Sequence, residues 1–190
     1  MTAKKTVTRE EWLNKLVHKL RPRYGVELPE SVHVSVGFPS SGIRSKVIGE
    51  CWNKKCSADE APQVFIHPKL SDAVEVAAVV VHELIHACRP DAKHGPEFKS
   101  LALQLGLAGK MRATVAGDEL KADLAALVEK IGPYPHPALT GRSSSAPKKQ
   151  TTRMIKVGCP DCGYSVRTTE KWLQVGMPQC PDGTPMWREL

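Results

Sequence analysis

Two histidines and a glutamate occupy one turn of an apolar segment, in the order His82-Glu83-Leu84-Ile85-His86. Residues four apart on a helix lie one above the other, so both imidazoles can face one metal ion. Glu83 then lies beside a water acidified by the metal, where it can take a proton as the water attacks a peptide carbonyl. The alternative is a chance match with satisfied core histidines. Burying such groups without partners is costly, so the pattern favours a zinc site.

A third metal ligand is expected from the residues that follow this helix. A catalytic zinc site takes three protein ligands and leaves one position open. His94 comes eight residues after His86 and beyond the helix-stopping Pro90, so a chain that turns back there can present it to the same ion. Asp91 and Glu97 are the competing ligands. The sequence therefore predicts a catalytic zinc held by His82, His86 and His94, with Glu83 as the general base.

A second metal site is predicted near the carboxyl end of the chain. Cys159 and Cys162 are separated by two residues, as in zinc knuckles, but the second half of the pattern supplies only Cys180. Asp182 could provide the fourth ligand, His136 could reach back to provide it, or the site could have decayed. We expect a structural zinc here. The other cysteines are predicted to be two loop thiols and one core residue: Cys51, Cys56 and Cys88.

Four helices and three strands are expected to position these side chains. Apolar residues at helical spacing, with capping residues and proline or glycine stops, predict helices over residues 8–20, 73–88, 96–105 and 118–130. Alternating residues predict strands over 31–38, 46–52 and 63–67, which we expect to form an antiparallel three-stranded meander. The predicted class is α+β, with helices packed on this sheet. Three tryptophans are predicted to be packing residues: Trp12, Trp52 and Trp172.

The composition divides the chain into a domain at 1–132, a basic Pro/Ser-rich linker at 133–153 and a small module at 154–190. About 37 residues are too few for a self-sufficient core, which again favours a metal in the module. The net charge is +7, which suggests an acidic partner. Residues 131–160 contain no acidic residue, and their basic residues are candidate DNA contacts: Arg142, Lys148, Lys149, Arg153 and Lys156.

The two histidine motifs together resemble the SprT-like metallopeptidase family. His82-Glu-Leu-Ile-His86 followed by His94-Gly-Pro-Glu-Phe98 is similar to that family's His-Glu-x-x-His and Gly-His-Gly-x-x-Phe pattern, although Lys93 stands where the family usually has glycine. The resemblance covers about residues 8–130, and the tail is similar to small bacterial and phage members that end in a zinc ribbon. It implies a zincin-like domain with these three histidines on zinc, Glu83 as base, and protein substrates held on or crosslinked to DNA.

Three functions are compatible with these patterns. The first is a zinc-dependent endopeptidase that acts on DNA-associated proteins. The others are a nucleic-acid-binding zinc protein with an inactive peptidase-like site, and a peptidase with no DNA role. No apolar stretch is long enough to span a bilayer, and the charged amino terminus is unlike a signal peptide. We therefore expect a cytoplasmic protein, in the host cytoplasm if phage-encoded, without a membrane partner and in a reducing compartment.

Overall fold

The computed structural model describes residues 7–43, 45–140 and 152–188. The chain divides into two units, residues 1–141 and 142–190. Both units combine helices with small sheets, which confirms the α+β class. None of the helices in the described ranges has the length and apolar character needed to cross a membrane.

The four helices of the first unit lie close to their predicted positions. Thr8 caps the first helix and forms a reciprocal capping box with Glu11, and the Asp72 side chain accepts from the N–H of Glu75 at the start of the second. The second helix is buried along most of its length, in keeping with its apolar sequence. The helices are α1 (Arg9–Leu20), α2 (Ala73–Cys88), α3 (Pro96–Gln104) and α4 (Asp118–Ile131).

The main sheet contains the three predicted strands, but the prediction that they form an antiparallel meander is wrong. The strands are β1 (His33–Val36), β2 (Gly49–Trp52) and β3 (Gln63–Ile66), in the order β1-β3-β2. β1 runs parallel to β3, and β2 runs antiparallel to it. Val64 and Ile66 of β3 are fully buried, so this strand takes the centre, and the more exposed β1 and β2 form the edges. Alternation along each strand could not reveal this order, because it does not identify a partner.

A β-hairpin that the sequence analysis missed follows α3. It consists of β4 (Leu107–Lys110) and β5 (Ala113–Ala116), paired antiparallel. Gly106 and Gly109 follow the third predicted helix as glycine stops would, but Gly109 lies within β4 with a φ of 88°. The segment has few of the β-branched and aromatic residues that signal a strand, so its pairing with β5 determines the structure.

One core lies between the main sheet and α1, α2, α3 and α4. It also includes a segment that was expected to belong to the linker. Tyr134 is buried edge-on against Trp12, with 5.0 Å between ring centroids, and Arg9 donates to the carbonyl of Pro135 at 3.3 Å. The Leu139 N–H donates to Pro68 O at 2.9 Å. The packed domain thus continues past residue 132, to at least residue 139.

The second unit is a three-stranded antiparallel sheet with one short helix. Its elements are β6 (Ile155–Gly158), β7 (Ser165–Thr168), α5 (Glu170–Val175) and β8 (Trp187–Arg188). The sheet order is β7-β6-β8. Its buried cluster is small and includes Val157, Met186 and two of the cysteines. So small a core leaves the unit dependent on another source of stability.

Candidate metal sites

Three imidazoles converge in the first unit. α2 places His82 and His86 one turn apart, and the loop after the helix brings back His94. The Nε2 of His94 lies 3.3 Å from the Nε2 of His86 and 3.3 Å from the Nε2 of His82. One nitrogen from each ring lies within 4.8 Å of the other two. The structure thus brings together the three predicted histidines as a candidate metal-ligand group.

The loop between α2 and α3 determines which residue joins the two helical histidines. Lys93 has a φ of 48°, the left-handed conformation in which glycine is most favourable. The N–H of Gly95 donates to Ala92 O at 2.9 Å, which closes a tight turn around His94. The group of possible ligands includes neither Asp91 nor Glu97, and both side chains are exposed.

Two further residues fix the orientation of the imidazoles. The buried ring of Phe98 packs against all three, at centroid distances of 4.8 Å to His82, 4.6 Å to His86 and 4.9 Å to His94. Thr114 Oγ1 of β5 lies 2.8 Å from Nδ1 of His82. A proton on Nδ1 in this hydrogen bond leaves the lone pair of Nε2 directed at the other two rings, as metal-binding histidines require.

The imidazoles are kept neutral by their surroundings. Burial, and then repulsion from His86 and His94, lowers the pKa of His82 to about 3. Burial and the neighbouring His94 lower the pKa of His86 to about 4. The pKa of His94 is also lowered, by burial and by the positive charge of Arg112. At neutral pH all three nitrogens are therefore free of protons that would compete with a metal.

Glu83 is buried next to this group without belonging to it. Its exposed fraction is 5%, and it lines the same cleft as the three histidines. Burial, and then the negative charge of Glu50, raises the pKa of Glu83 to about 8. Gly49 of β2 makes room for it, because a Cβ at that position would lie 2.5 Å from Glu83 Oε1 and 2.6 Å from Val79 Cγ1.

An open cleft of about 540 Å³ lies over the histidines and Glu83. Its lining comes from four parts of the first unit: α2, the His94 loop, β2 with the residues before it, and the β4–β5 hairpin. The charged side chains at its edges are Lys46, Glu50 and Arg112. The arrangement combines neutral nitrogen donors, a buried carboxyl and access for a large ligand.

A second candidate metal-ligand group lies in the second unit. It contains Cys159, Cys162, Cys180 and Asp182, whose ligand atoms all lie within 4.8 Å of one another. The Sγ atoms of Cys162 and Cys180 are 3.3 Å apart. Backbone N–H groups, that of Cys162 foremost, lower the pKa of Cys159 despite opposing desolvation, which favours the thiolate that binds metals. The other proposed fourth ligand, His136, lies in the first unit.

Two turns of similar sequence support this group. The N–H of Gly163 donates to Cys159 O at 3.2 Å, and the N–H of Gly183 donates to Cys180 O at 2.8 Å. Both glycines have a positive φ, of 75° and 88°. Asp182 Oδ1 accepts from the N–H of Thr184 at 2.9 Å, so one of its oxygens is already engaged in the turn.

Only some of the predicted DNA contacts can be located. Arg142, Lys148 and Lys149 lie outside the described residues, whereas Arg153 and Lys156 are exposed in the second unit. The prediction that Trp172 is a packing residue is wrong, because its exposed fraction is 57%. Trp52 is also exposed, with a fraction of 41%, whereas Trp12 is buried as predicted.

The outer face of the second sheet carries a cluster of residues that the sequence analysis missed. Strand pairing sets Lys156 opposite Arg167 and sets Gly158 opposite Trp187. Residues two apart and residues directly opposite share a face, so Lys156, Arg167 and Trp187 lie together on the face away from buried Val157. The exposed fraction of Trp187 is 61%. This surface combines two cations with an exposed indole.

The remaining cysteines differ from their predicted positions in one respect. Cys56 is exposed in a short 3₁₀ turn, as a loop thiol would be, and Cys88 ends α2 packed partly against the core. Cys51 was also expected in a loop, but it lies in β2, and its side chain is partly buried. Burial, and then the charge of Glu83, raises the pKa of Cys51 to about 12.

A scan against protein-family models, a search of curated proteins and a search of solved structures give no match to this chain.

Proposed function

We propose that this protein is a zinc-dependent endopeptidase. The observation that carries the proposal is the position of Glu83, a buried carboxyl in the same cleft as three converging imidazoles but outside their ligand group. A metal that serves only to hold a fold needs no such carboxyl, whereas peptide hydrolysis needs a base there. The resemblance of the two histidine motifs to SprT-like metallopeptidases supports the same function.

The residues fit zinc. Three neutral imidazole nitrogens match the donor set of a catalytic zinc, and Thr114 supplies the outer hydrogen bond that orients His82. When bound, zinc acidifies a water and polarises a carbonyl. The second group, with three thiols and a carboxylate, fits a structural zinc with one harder donor.

Glu83 moves the proton in the proposed reaction. One of its carboxylate oxygens takes a proton as a water attacks the peptide carbonyl, and the same oxygen then returns that proton to the leaving amide nitrogen. Burial favours the protonated carboxyl between these steps, as the raised pKa of about 8 indicates. A nearby cation would favour the ionised form that starts the cycle. Opposing influences of this kind suit a group that must both accept and release a proton.

The proposed substrates are proteins bound or crosslinked to DNA. The cleft is open and large enough for a segment of polypeptide. Lys156, Arg167 and Trp187 share one face of the second unit, and the combination of cations with an exposed indole suits phosphates and stacked bases. The basic residues of the linker add to this charge. Peptidase activity without a DNA role, and DNA binding with an inactive site, are the alternatives.

The decisive experiment compares the zinc-loaded protein with its Glu83→Gln variant. An unstructured protein substrate is incubated with each, with and without single- or double-stranded DNA, and zinc content is measured on the same samples. We expect Glu83→Gln to retain zinc and to lose at least about 100-fold in rate, the usual contribution of a general base. Cleavage by both proteins at the same rate would refute the role of Glu83.

Zinc content also tests the third ligand. His94→Ala should lose the metal of the first unit, whereas His33→Ala should keep it. His33 is a suitable control because it is an exposed histidine paired with Asp59 at 2.6 Å and lies outside the cleft. Unchanged zinc in His94→Ala would mean that another residue completes the site.

The DNA part of the proposal has a separate test. Replacing Trp187 by Ala and Arg167 by Gln should weaken binding to single-stranded DNA and reduce its dependence on salt, because each phosphate contact contributes to that dependence. Cleavage of a free peptide should continue. If the variant binds DNA as tightly as the wild type and with the same salt dependence, this face has no role in DNA binding.

A further inference from the structure

The cleft of the first unit carries two exposed cations, Lys46 and Arg112, from separate parts of the chain. Neither takes part in the reaction proposed above. Within residues 7–43, 45–140 and 152–188, neither forms an ion pair with a carboxylate. Their charges therefore remain available to something that enters the cleft.

The backbone on both sides of Lys46 is held in place. Lys69 Nζ donates to the carbonyl of Ser45 at 3.1 Å, and the N–H of Val47 donates to Ser45 Oγ at 3.0 Å. The buried His67, with Nε2 3.3 Å from Ile43 O, fixes the preceding part of the loop. Lys46 thus extends from an anchored segment at the edge of the cleft.

Arg112 lies on the same hairpin as a residue that contacts the histidine group. It lies in the two-residue turn between β4 and β5, beside the paired residues Lys110 and Ala113. Thr114, two residues further on, is the partner of His82. The hairpin that orients a proposed metal ligand therefore also presents a guanidinium to the cleft.

The acids of the cleft only partly offset the charge of these cations. Glu50 accepts from the N–H of Ser40 at 2.7 Å and from Ser40 Oγ at 2.6 Å, so its carboxylate is engaged with the loop. Glu83 is buried and assigned to proton transfer. Two exposed cations thus stand against the single charge of Glu50, and the edge of the cleft keeps a net positive charge.

We propose that Lys46 and Arg112 form a carboxylate-binding subsite that selects peptide segments with a negative charge beside the scissile bond. The carboxylate can be that of an aspartate or glutamate side chain, or the carboxyl terminus of the substrate. Arg112 can bind it through two parallel N–H bonds, and Lys46 through a point charge. This inference rests on the proposed peptidase function.

The test uses two pairs of fluorescent peptides with a common sequence. One pair differs by Glu or Gln in the residues flanking the scissile bond, and the other by a free or an amidated carboxyl terminus. Affinity is measured on the zinc-loaded Glu83→Gln protein, and kcat/KM on the wild type. We expect the charged member of at least one pair to bind about fivefold more tightly, as two exposed ion pairs permit, with less preference at high salt. The pair that shows the preference identifies the source of the carboxylate.

Variants assign the preference to the two cations. Lys46→Met combined with Arg112→Gln should reduce the ratio of affinities to near one. Lys110→Gln is the matched control, because this exposed residue of the same hairpin lies outside the cleft, and it should keep the wild-type ratio.

Equal binding of both members in both pairs would overturn the subsite, as would a preference that survives the double variant. If the wild type shows no peptide preference and the double variant loses affinity for DNA, then Lys46 and Arg112 bind DNA phosphates instead. If the wild type cleaves no peptide although Glu83→Gln shows the preference, the peptidase proposal fails and carboxylate binding stands. If the wild type cleaves all the peptides equally, the subsite alone fails.

Discussion

Replacing Glu83 by Gln should stabilise the metal-free protein, and increasingly so as the pH rises. The folded protein holds the pKa of Glu83 at about 8, against an ordinary value of 4.5. Between these values the folded chain retains a proton that the unfolded chain has released. The free energy of unfolding therefore falls as the pH rises through this window. The amide of the variant does not titrate, so the variant escapes this loss.

The size of the effect follows from the two pKa values. Each pH unit between them changes the relative stability by about 1.4 kcal/mol. From about pH 6 to about pH 8, allowing for partial ionisation near the upper value, the variant should gain about 2 kcal/mol over the wild type. A change in packing caused by the amide is independent of pH and cancels from this difference. Titration of His82 and His86, whose lowered pKa values act in both proteins, cancels as well.

The assay is urea unfolding of the chelator-treated proteins across this pH range, followed by tryptophan fluorescence, to which the buried Trp12 of the first unit contributes. Glu50→Gln gives an intermediate case. The charge of Glu50 is the second cause, after burial, of the raised pKa of Glu83, so removing it should produce a smaller trend in the same direction. Adding zinc should reduce the trend for Glu83→Gln, because a cation favours the carboxylate. A stability difference that stays constant within about 0.5 kcal/mol across the range would refute a buried neutral Glu83.

Three other substitutions test particular features of the structure. Gly49→Ala should cost about 1–3 kcal/mol of stability and reduce cleavage, because its Cβ would displace Glu83. The control is Gly176→Ala, because a Cβ there meets nothing within 4 Å. Equal urea midpoints for the two variants would contradict the close contact at Gly49. Lys93→Gly should leave stability unchanged or raise it by up to about 1 kcal/mol, because φ is already positive; a clear loss in the same assay would argue against that conformation. Asp182→Cys should tighten zinc binding by the second unit in a chelator competition, because thiolate is the softer donor; weaker binding would remove this residue from the ligand group.

Local sequence signals predicted the helices and the histidine group well. The bounds of α2 match the prediction because Asp72 and Pro90 mark its ends chemically. The grouping of His94 with the helical histidines followed from the short distance along the chain. A loop of a few residues after a helix can reach only a small region, so the sequence limits the choice of third ligand. These are the parts of the site for which neighbours in sequence are neighbours in space.

Features that depend on distant pairing could not be predicted. Thr114 is 32 residues from its partner His82, and nothing in its surroundings in the sequence marks it as a hydrogen-bond acceptor. The role of Gly49 depends on the close approach of β2 to α2, which the sequence does not show. The residue type of Trp172 predicts a packing residue, but the small core of the second unit leaves this side chain outside. Pairing order and exposure arise from the whole fold.

The strand order of the main sheet determines when that sheet can form. β1 and β2 are neighbours in the chain, yet within the described residues each pairs only with β3, which comes after both. A hairpin between the first two strands is therefore unavailable as an early local step. During synthesis both strands must remain unpaired until β3 has left the ribosome, and β2 can then pair through the shorter connection while β1 closes a longer loop. The strand that lines the cleft, β2, is thus the one that joins the sheet through the more local pairing, with β3.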